Sequence, residues 1–537
     1  MELRTRIGVI TSGSLVDGLA ARLDGGRQIE DLRVGQFVVV RGERNEFFAM
    51  VTDVVLDSTN KKVLADPPDG DLFFHEVLAG TSTYGTVELR PMLMLPRDLN
   101  EGLRPPKTVP PHFAPVLEAD ESDITRVFGT EDEGRFEIGR PLDMDVPVCI
   151  DLGRLVERSN GVFGKSGTGK SFLTRLLLCG VIKAGKAANL IFDMHSEYGW
   201  DATTEDRGMV FVKGLSQLFQ SKVQIYSLDP ETSRKRGVRV DADVMIGLDQ
   251  IEVEDIALLQ DELNLTGTAA ETAALLVDRY HDRWLKTLLT MDTEAIKAFA
   301  EETSAHAGAV TALKRKLEQV ARLSFVHEKP PTDAIERLIE NLAQGKHIVL
   351  EFGRHSSTLA YMLVANIITR RIHRRWVDQT QRFLNTKKES DRPQPLMITI
   401  EEAHKFLNPQ VAKQTIFGTI AREMRKYSVT LLVVDQRPSS IDSEVLSQIG
   451  TRVTALLNDD KDIDAVFTGV SGGAQLRSVL STLDTRQQAM VLGHAVPMPV
   501  VVRTRSYDED FYRAMGARGV DTPAERRQAF DEVEDLF

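Results

Sequence analysis

Residues Gly164 to Ser171 read GKSGTGKS. This is the pattern of a loop that cradles phosphate. Its glycines let successive backbone N–H groups turn inward, and a helix starting at the lysine adds its positive end. In this reading Gly164, Lys165, Ser166, Gly167, Thr168 and Gly169 form the cradle, Lys170 reaches the β and γ phosphates, and Ser171 places its hydroxyl on Mg²⁺. The run follows an apolar stretch and precedes a helical pattern, as the chemistry requires. No H-R-D or D-F-G run follows, so a protein-kinase loop is not supported. A second run, LMITIEEAH from Leu396 to His404, supplies what the loop lacks: an apolar strand ending in adjacent carboxylates. Ligands bind at the C-terminal ends of strands in α/β sheets. Glu401 is expected to hold the Mg²⁺ shell through water, in a position more commonly filled by Asp, and Glu402 to polarise the attacking water. Together the two runs predict one site that hydrolyses a nucleoside triphosphate with Mg²⁺.

The elements that must position these residues are legible from pattern. Strand, Gly-rich turn, helix and strand succeed one another across VPVCIDL, NGVFG, GKSGTGKSFLTRLLLCGVIKAG and ANLIFDM, the βαβ signature of a doubly wound sheet. The α/β core is expected over 136–244 and again over 346–505, where HIVLEFG, LMITIEEAH, VTLLVVDQR and MPVVVRTR read as strands. Between them, 245–345 has apolar residues at three- and four-residue spacing and reads as a helical insertion. Residues 1–95 read as a small β-barrel of short β-branched and aromatic runs. Pro96, Pro105, Pro106, Pro110, Pro111 and Pro115, followed by Glu118, Asp120, Glu121 and Asp123, make 96–135 an extended linker in this reading. The tail, 506–537, is polar and reads as helical.

Bulk properties bound the answer. A chain of 537 residues with 42% apolar residues is long enough for two or three cores. The net charge of −13 excludes a surface that is basic everywhere, though not a basic channel inside an acidic ring. Cys149 and Cys179 make no metal-type cluster. The start, MELRTRIGVITSG, lacks a signal-peptide pattern and no apolar run is long enough to span a membrane, so a cytoplasmic protein is expected, with no membrane partner.

GVFGKSGTGKS, FDMHSEYGW, ITIEEAHKFL and IAREMRKYSVTLLVVDQRPSSIDSEVLSQIGTRV, in that order, resemble the HerA branch of the HerA–FtsK ATPases. The resemblance covers about 141–505 without the insertion. It implies a RecA-like P-loop core behind a small N-terminal β-barrel, a homohexameric ring, and ATP-driven translocation along duplex DNA. It also implies a separate nuclease or effector docked on the barrel face, in DNA-end processing or antiviral defence. By the same resemblance Asp193 and Glu197 lie near the nucleotide, Gln436 senses the γ phosphate, and Arg425 or Arg422 enters a neighbouring subunit's site. Arg158 is a further contact across that interface. The family commonly has Gly where Met424 stands. A surface role for each arginine stays open.

SRKRGVR packs Arg234, Lys235, Arg236 and Arg239 into one short run. It reads either as a channel loop gripping DNA phosphates or as a solvated charge run. No recognition-helix pattern supports base-specific reading. Two alternatives to a motor remain: a ring scaffold in which ATP serves assembly, and a metabolic P-loop kinase, for which no acceptor-binding motif is present.

Overall fold

A computed structural model describes residues 4–24, 27–58, 83–96, 102–204, 210–413, 415–470, 473–484 and 487–517. The chain divides into two compact units. One comprises Met1–Leu155, Phe163–Lys170 and Gly450–Ser506; the other comprises Val156–Val162, Ser171–Ile449 and Tyr507–Phe537.

The first unit contains a closed barrel with strand order Arg6–Ser14, Gly18–Leu23, Thr83–Pro96, Asn45–Ser58, Phe37–Arg41, Pro115–Glu118. Alternation along the strands sends Ile7, Leu19, Val38, Val40, Phe47 and Val116 into its core. The last strand comes from the segment expected to be a linker. Val116 pairs with Val40 on one side and Gly8 on the other, which closes the barrel. The expectation of a linker over 96–135 is therefore corrected. Proline density hid a short strand that needs no donor at Pro115, an edge-tolerant first position. The acidic run after it caps a helix, Glu121–Phe128. Asp120 accepts from Asp123 N while Asp123 accepts from Asp120 N, a capping box, and Arg4 pairs with both carboxylates. That helix covers the outside of the barrel, where Phe37 stacks on Phe48 at 5.0 Å and meets Phe128 at 6.1 Å. An antiparallel sheet in the same unit runs Thr451–Thr454, Gln488–Gly493, Val500–Thr504, Arg135–Arg140, Val148–Asp151.

The second unit is built on parallel strands in the order Ala242–Asp243, Val223–Ser227, His347–Glu351, Ala188–Asp193, Leu396–Ile400, Val429–Asp435. ANLIFD, HIVLE, LMITI and VTLLVVD are buried at every position, as strands covered on both faces must be. Their polar ends therefore gather along one edge. Helices between Val253 and Ala343 occupy the segment read as an insertion. An ion-pair network fastens them to the long helix Thr358–Thr386. Asp255, fully buried, accepts from Arg370 Nη2 at 2.7 Å and from Asn366 Nδ2 at 2.6 Å. Arg374 grips Glu252 with two bonds of 2.7 Å, and Arg371 holds Asp333 and Glu336. Arg370, Arg371 and Arg374 of the basic stretch ITRRIHRRW thus pair with the insertion. Cys149 and Cys179 are buried and form no disulfide among the described residues. Among the described residues no helix is long and apolar enough to cross a membrane. Of the tail, Glu509–Ala514 is helical and 518–537 lie outside the described residues.

Burial already pushes the Asp255 carboxyl above its ordinary range, and Arg370 opposes that. Arg370→Ala leaves the carboxylate buried without its cation and is expected to destabilise the fold by about 3–5 kcal/mol. Denaturant unfolding checks this, and Asp255→Leu combined with Arg370→Leu should recover most of the loss.

Candidate active site

The phosphate-loop sequence folds as its residue types demand. It leaves the strand Asn160–Phe163 and runs directly into the helix Lys170–Ala184. Gly164, Gly167 and Gly169 have φ of 158°, 78° and 88°. At Gly167 and Gly169 that is left-handed backbone, which side chains resist. A Cβ at either would meet nothing within 4 Å, so these two glycines face open space while a Cβ at Gly164 would strike Thr168 Oγ1 at 2.7 Å. The loop is braced from within: Thr168 Oγ1 donates to the Lys165 carbonyl at 2.7 Å, and Lys170 Nζ donates to the same oxygen at 3.1 Å. Lys165 N in turn donates to the Leu456 carbonyl. An open glycine-rich turn with a lysine at its end is suited to a polyphosphate. Ser171 follows Lys170 in the helix's first turn and is half-buried.

In the second unit the strand tips carry the acidic residues. Glu401 is 7% exposed. Its Oε1 accepts from the Tyr198 hydroxyl at 2.6 Å, and its backbone is pinned on both sides by the Tyr361 hydroxyl. Phe192, Phe352 and Phe406 pack edge-on around Tyr361 and exclude water. Burial, with help from Asp193, Glu197 and Glu402 and opposed by the Tyr198 hydrogen bond, pushes the Glu401 carboxyl up to about 8. Its other oxygen, Oε2, is buried with no hydrogen-bond partner among the described residues. That orphaned acceptor is of the type that accepts from a water molecule in the shell of a divalent cation such as Mg²⁺. Bound there, the cation would neutralise phosphate charge.

The adjacent Glu402 has φ of 49°, a left-handed conformation costing roughly 1 kcal/mol or more. The chain turns at this point, and Glu402 engages a different set of partners. Gln436 Nε2 donates to its Oε1 at 2.7 Å. His404 Nε2 lies 3.8 Å from its Oε2, and Asp435 holds the His404 ring at 3.0 Å and the His404 N–H at 2.8 Å. The Asp435 hydrogen bond raises the His404 pKa despite burial. His404, Asp435, Tyr198 and Tyr361 were not singled out from sequence. His404 stood in view in the EEAH run, but Tyr361 lies in the first turn of the helix Thr358–Thr386 and carries no sequence signal.

The comparisons agree with this geometry. Residues 136–372 match the family described as Helicase HerA, central domain, and residues 7–103 match the HAS barrel domain. The chain is 23% identical over 505 residues to the DNA double-strand break repair helicase HerA of Sulfolobus acidocaldarius, covering 94% of this chain and 93% of that protein. It is 25% identical over 422 residues to a probable helicase of Methanocaldococcus jannaschii, covering 77% and 75%. The chain is similar to the HerA-type helicases over most of its length. It is an ATP hydrolase with a P-loop α/β core behind a small β-barrel. Among solved structures, VirB4 of Thermoanaerobacter pseudethanolicus aligns over 70% of this chain and 98% of its own, at 14% identity and a TM-score of 0.45.

Within this HerA-like chain, several residues stand elsewhere than expected. Asp193 is fully buried, and its carboxylate takes three backbone N–H groups, those of Glu197, Tyr198 and Gly199. It holds the turn, as a carboxylate at a buried strand tip captures the nearest donors. Glu197 is half-buried on that turn. The helix Ile416–Glu423 tightens into a 3₁₀ turn, Met424–Tyr427, in which Met424 is buried where the family's Gly would leave space. Arg422 donates to the Ala412 carbonyl at 3.4 Å, whereas Arg425 is exposed, as is Arg158. The basic run is not a loop gripping phosphate through all four cations. It forms the helix Pro230–Lys235 and the turn after it. Arg234 pairs with Asp243, and Arg236 pairs with the buried Glu351, each at 2.8 Å. Lys235 and Arg239 are exposed.

A carboxyl whose folded pKa is raised stabilises the fold below its unfolded pKa and loses that contribution as pH rises through the folded value. For Glu401 stability is expected to fall from the ordinary value of 4.5 to about 8 and to level off above. Thermal unfolding of nucleotide-free protein across that range checks it, and Glu401→Gln should flatten the profile and raise the midpoint at the alkaline end.

Proposed function

We propose that this HerA-like ATPase is a ring motor that moves duplex DNA, with Glu402 as the residue that accepts a proton from the attacking water. The observation that carries the catalytic part is the pairing of the buried, half-satisfied Glu401 with the left-handed Glu402 at one strand tip. In this mechanism the loop N–H groups, Lys170 and Ser171 hold the triphosphate of ATP. Glu402 takes the proton as water oxygen bonds to the terminal phosphorus and the bond to the ADP oxygen breaks. Gln436, whose amide already reaches Glu402, orients that carboxylate and meets the γ phosphate. The exposed Arg425 is the better placed of the two arginines to enter a neighbouring protomer's site in a homohexamer, with Arg422 tied to a carbonyl. Arg158 is a further contact across that interface.

Action on DNA is supported by the family and by relatives named as DNA double-strand break repair helicases. Arg234 and Arg236 are exposed but ion-paired, which leaves the exposed Lys235 and Arg239 as the cations of the basic run for sequence-independent phosphate contact. A separate nuclease or effector would dock on the barrel, where Val16, Leu56 and Phe113 are exposed at 75%, 79% and 73%.

Glu402→Gln is expected to keep ATP binding and lower turnover by about 10²–10⁴-fold, measured by steady-state phosphate release. Wild-type turnover would show that another group takes the proton. Duplex DNA should stimulate hydrolysis, with stimulation falling steeply with salt. Hydrolysis indifferent to DNA but raised by a protein partner would point to a scaffold. Mixing Arg425→Ala with Lys170→Ala protein should restore part of the activity each lacks, since one ring then holds sites with an intact lysine and an intact neighbouring arginine.

A further inference from the structure

Glu351 is a buried carboxylate that the proposed mechanism does not use. It ends the strand His347–Glu351 and is fully buried. Its Oε2 accepts from the buried Ser233 hydroxyl at 2.7 Å and from Arg236 Nη2 at 2.8 Å, while Oε1 is buried without a hydrogen-bond partner among the described residues. Glu351 is the register partner of Asp193 on the adjacent parallel strand. Two carboxylates thus lie side by side at buried strand tips, and Glu351 is among the causes, after burial, that raise the Asp193 carboxyl to about 7. Asp193 anchors the N–H groups of Glu197, Tyr198 and Gly199, and the Tyr198 hydroxyl donates to Glu401. The turn also passes close to Glu351: a Cβ at Gly199 would lie 3.1 Å from Glu351 Oε1. Arg236 is the cation paired with this acidic group, and its side chain is 39% exposed.

We propose that Arg236 is a positioning residue for ATP hydrolysis. By balancing Glu351 it allows the Asp193 carboxylate to hold the 194–199 turn, and so sets the Tyr198–Glu401 contact. The inference rests on Glu401 belonging to the ATP site. Without Arg236 the Glu351 carboxylate has Ser233 alone on one oxygen and nothing on the other, a strongly disfavoured state for buried charge. The repulsion is then relieved by moving the turn, which carries Tyr198 away from Glu401. Arg236 is thereby taken out of the set of general phosphate-gripping cations, and its place in the basic run has a chemical reason distinct from that of Lys235 and Arg239.

The test is steady-state ATP hydrolysis by the full chain without DNA. Arg236→Ala and Arg236→Gln are each expected to lower kcat about tenfold with KM for ATP within about twofold, and Arg236→Lys to retain most of kcat. Adding Glu351→Gln to either neutral variant should bring kcat back to within about threefold of the parent protein, because the charge needing balance is gone. The Gln variant keeps the measurement possible if the Ala variant fails to fold. Unchanged kcat in Arg236→Gln overturns the proposal, as does a loss that Glu351→Gln does not recover. Glu402→Gln run in parallel separates the two readings: retained turnover there means that the site assignment fails, whatever Arg236 does.

Discussion

The organising constraint in this protein is negative charge at the tips of buried parallel strands. Asp193, Glu351 and Glu401 end three neighbouring strands whose other positions are apolar and covered on both faces. Like charges that close in a poorly polarisable setting repel strongly, and each carboxylate needs its own compensation. The fold provides three different kinds. Backbone N–H groups of a tight turn serve Asp193, a serine and an arginine serve Glu351, and a tyrosine hydroxyl serves one oxygen of Glu401. Among the described residues compensation is left incomplete at Glu351 Oε1 and at Glu401 Oε2, and at the latter a metal-bound water would complete it.

The two adjacent glutamates show how local backbone divides chemistry. Glu401 stays within the aromatic packing of Phe192, Tyr361 and Phe406, and burial makes its proton hard to remove. One residue later the left-handed turn at Glu402 brings that carboxylate to Gln436 and to the His404–Asp435 pair. Identical side chains thus acquire unlike environments, which is how a site obtains one group that fixes charge and another that moves a proton.

The helical insertion and the barrel follow the same logic of paying for polarity locally. Arg370, Arg371 and Arg374 answer Asp255, Asp333, Glu336 and Glu252, so a basic stretch that could have been a DNA surface is a fastening between helices. In the barrel unit, the acidic residues after the prolines cap a helix and hold Arg4. In both places a charge run in the sequence resolves into pairs once the chain folds.

The sequence by itself determined the P-loop, the parallel α/β core, the barrel and the paired glutamates, because each depends on local rules. These are glycine where φ must be positive, apolar runs where strands are covered twice, and carboxylates where such a run ends. Gln436 was also readable, standing at the end of the next strand. The partners of each charge were decided by tertiary structure alone. That Arg236 turns inward to Glu351, that Asp193 spends its carboxylate on a turn, that Tyr361 and His404 hold the glutamates, and that Pro115–Glu118 closes the barrel all depend on contacts between residues far apart in the chain. A side chain's type states what it is able to bind; only the fold sets which opposite charge or donor comes within about 3 Å of it.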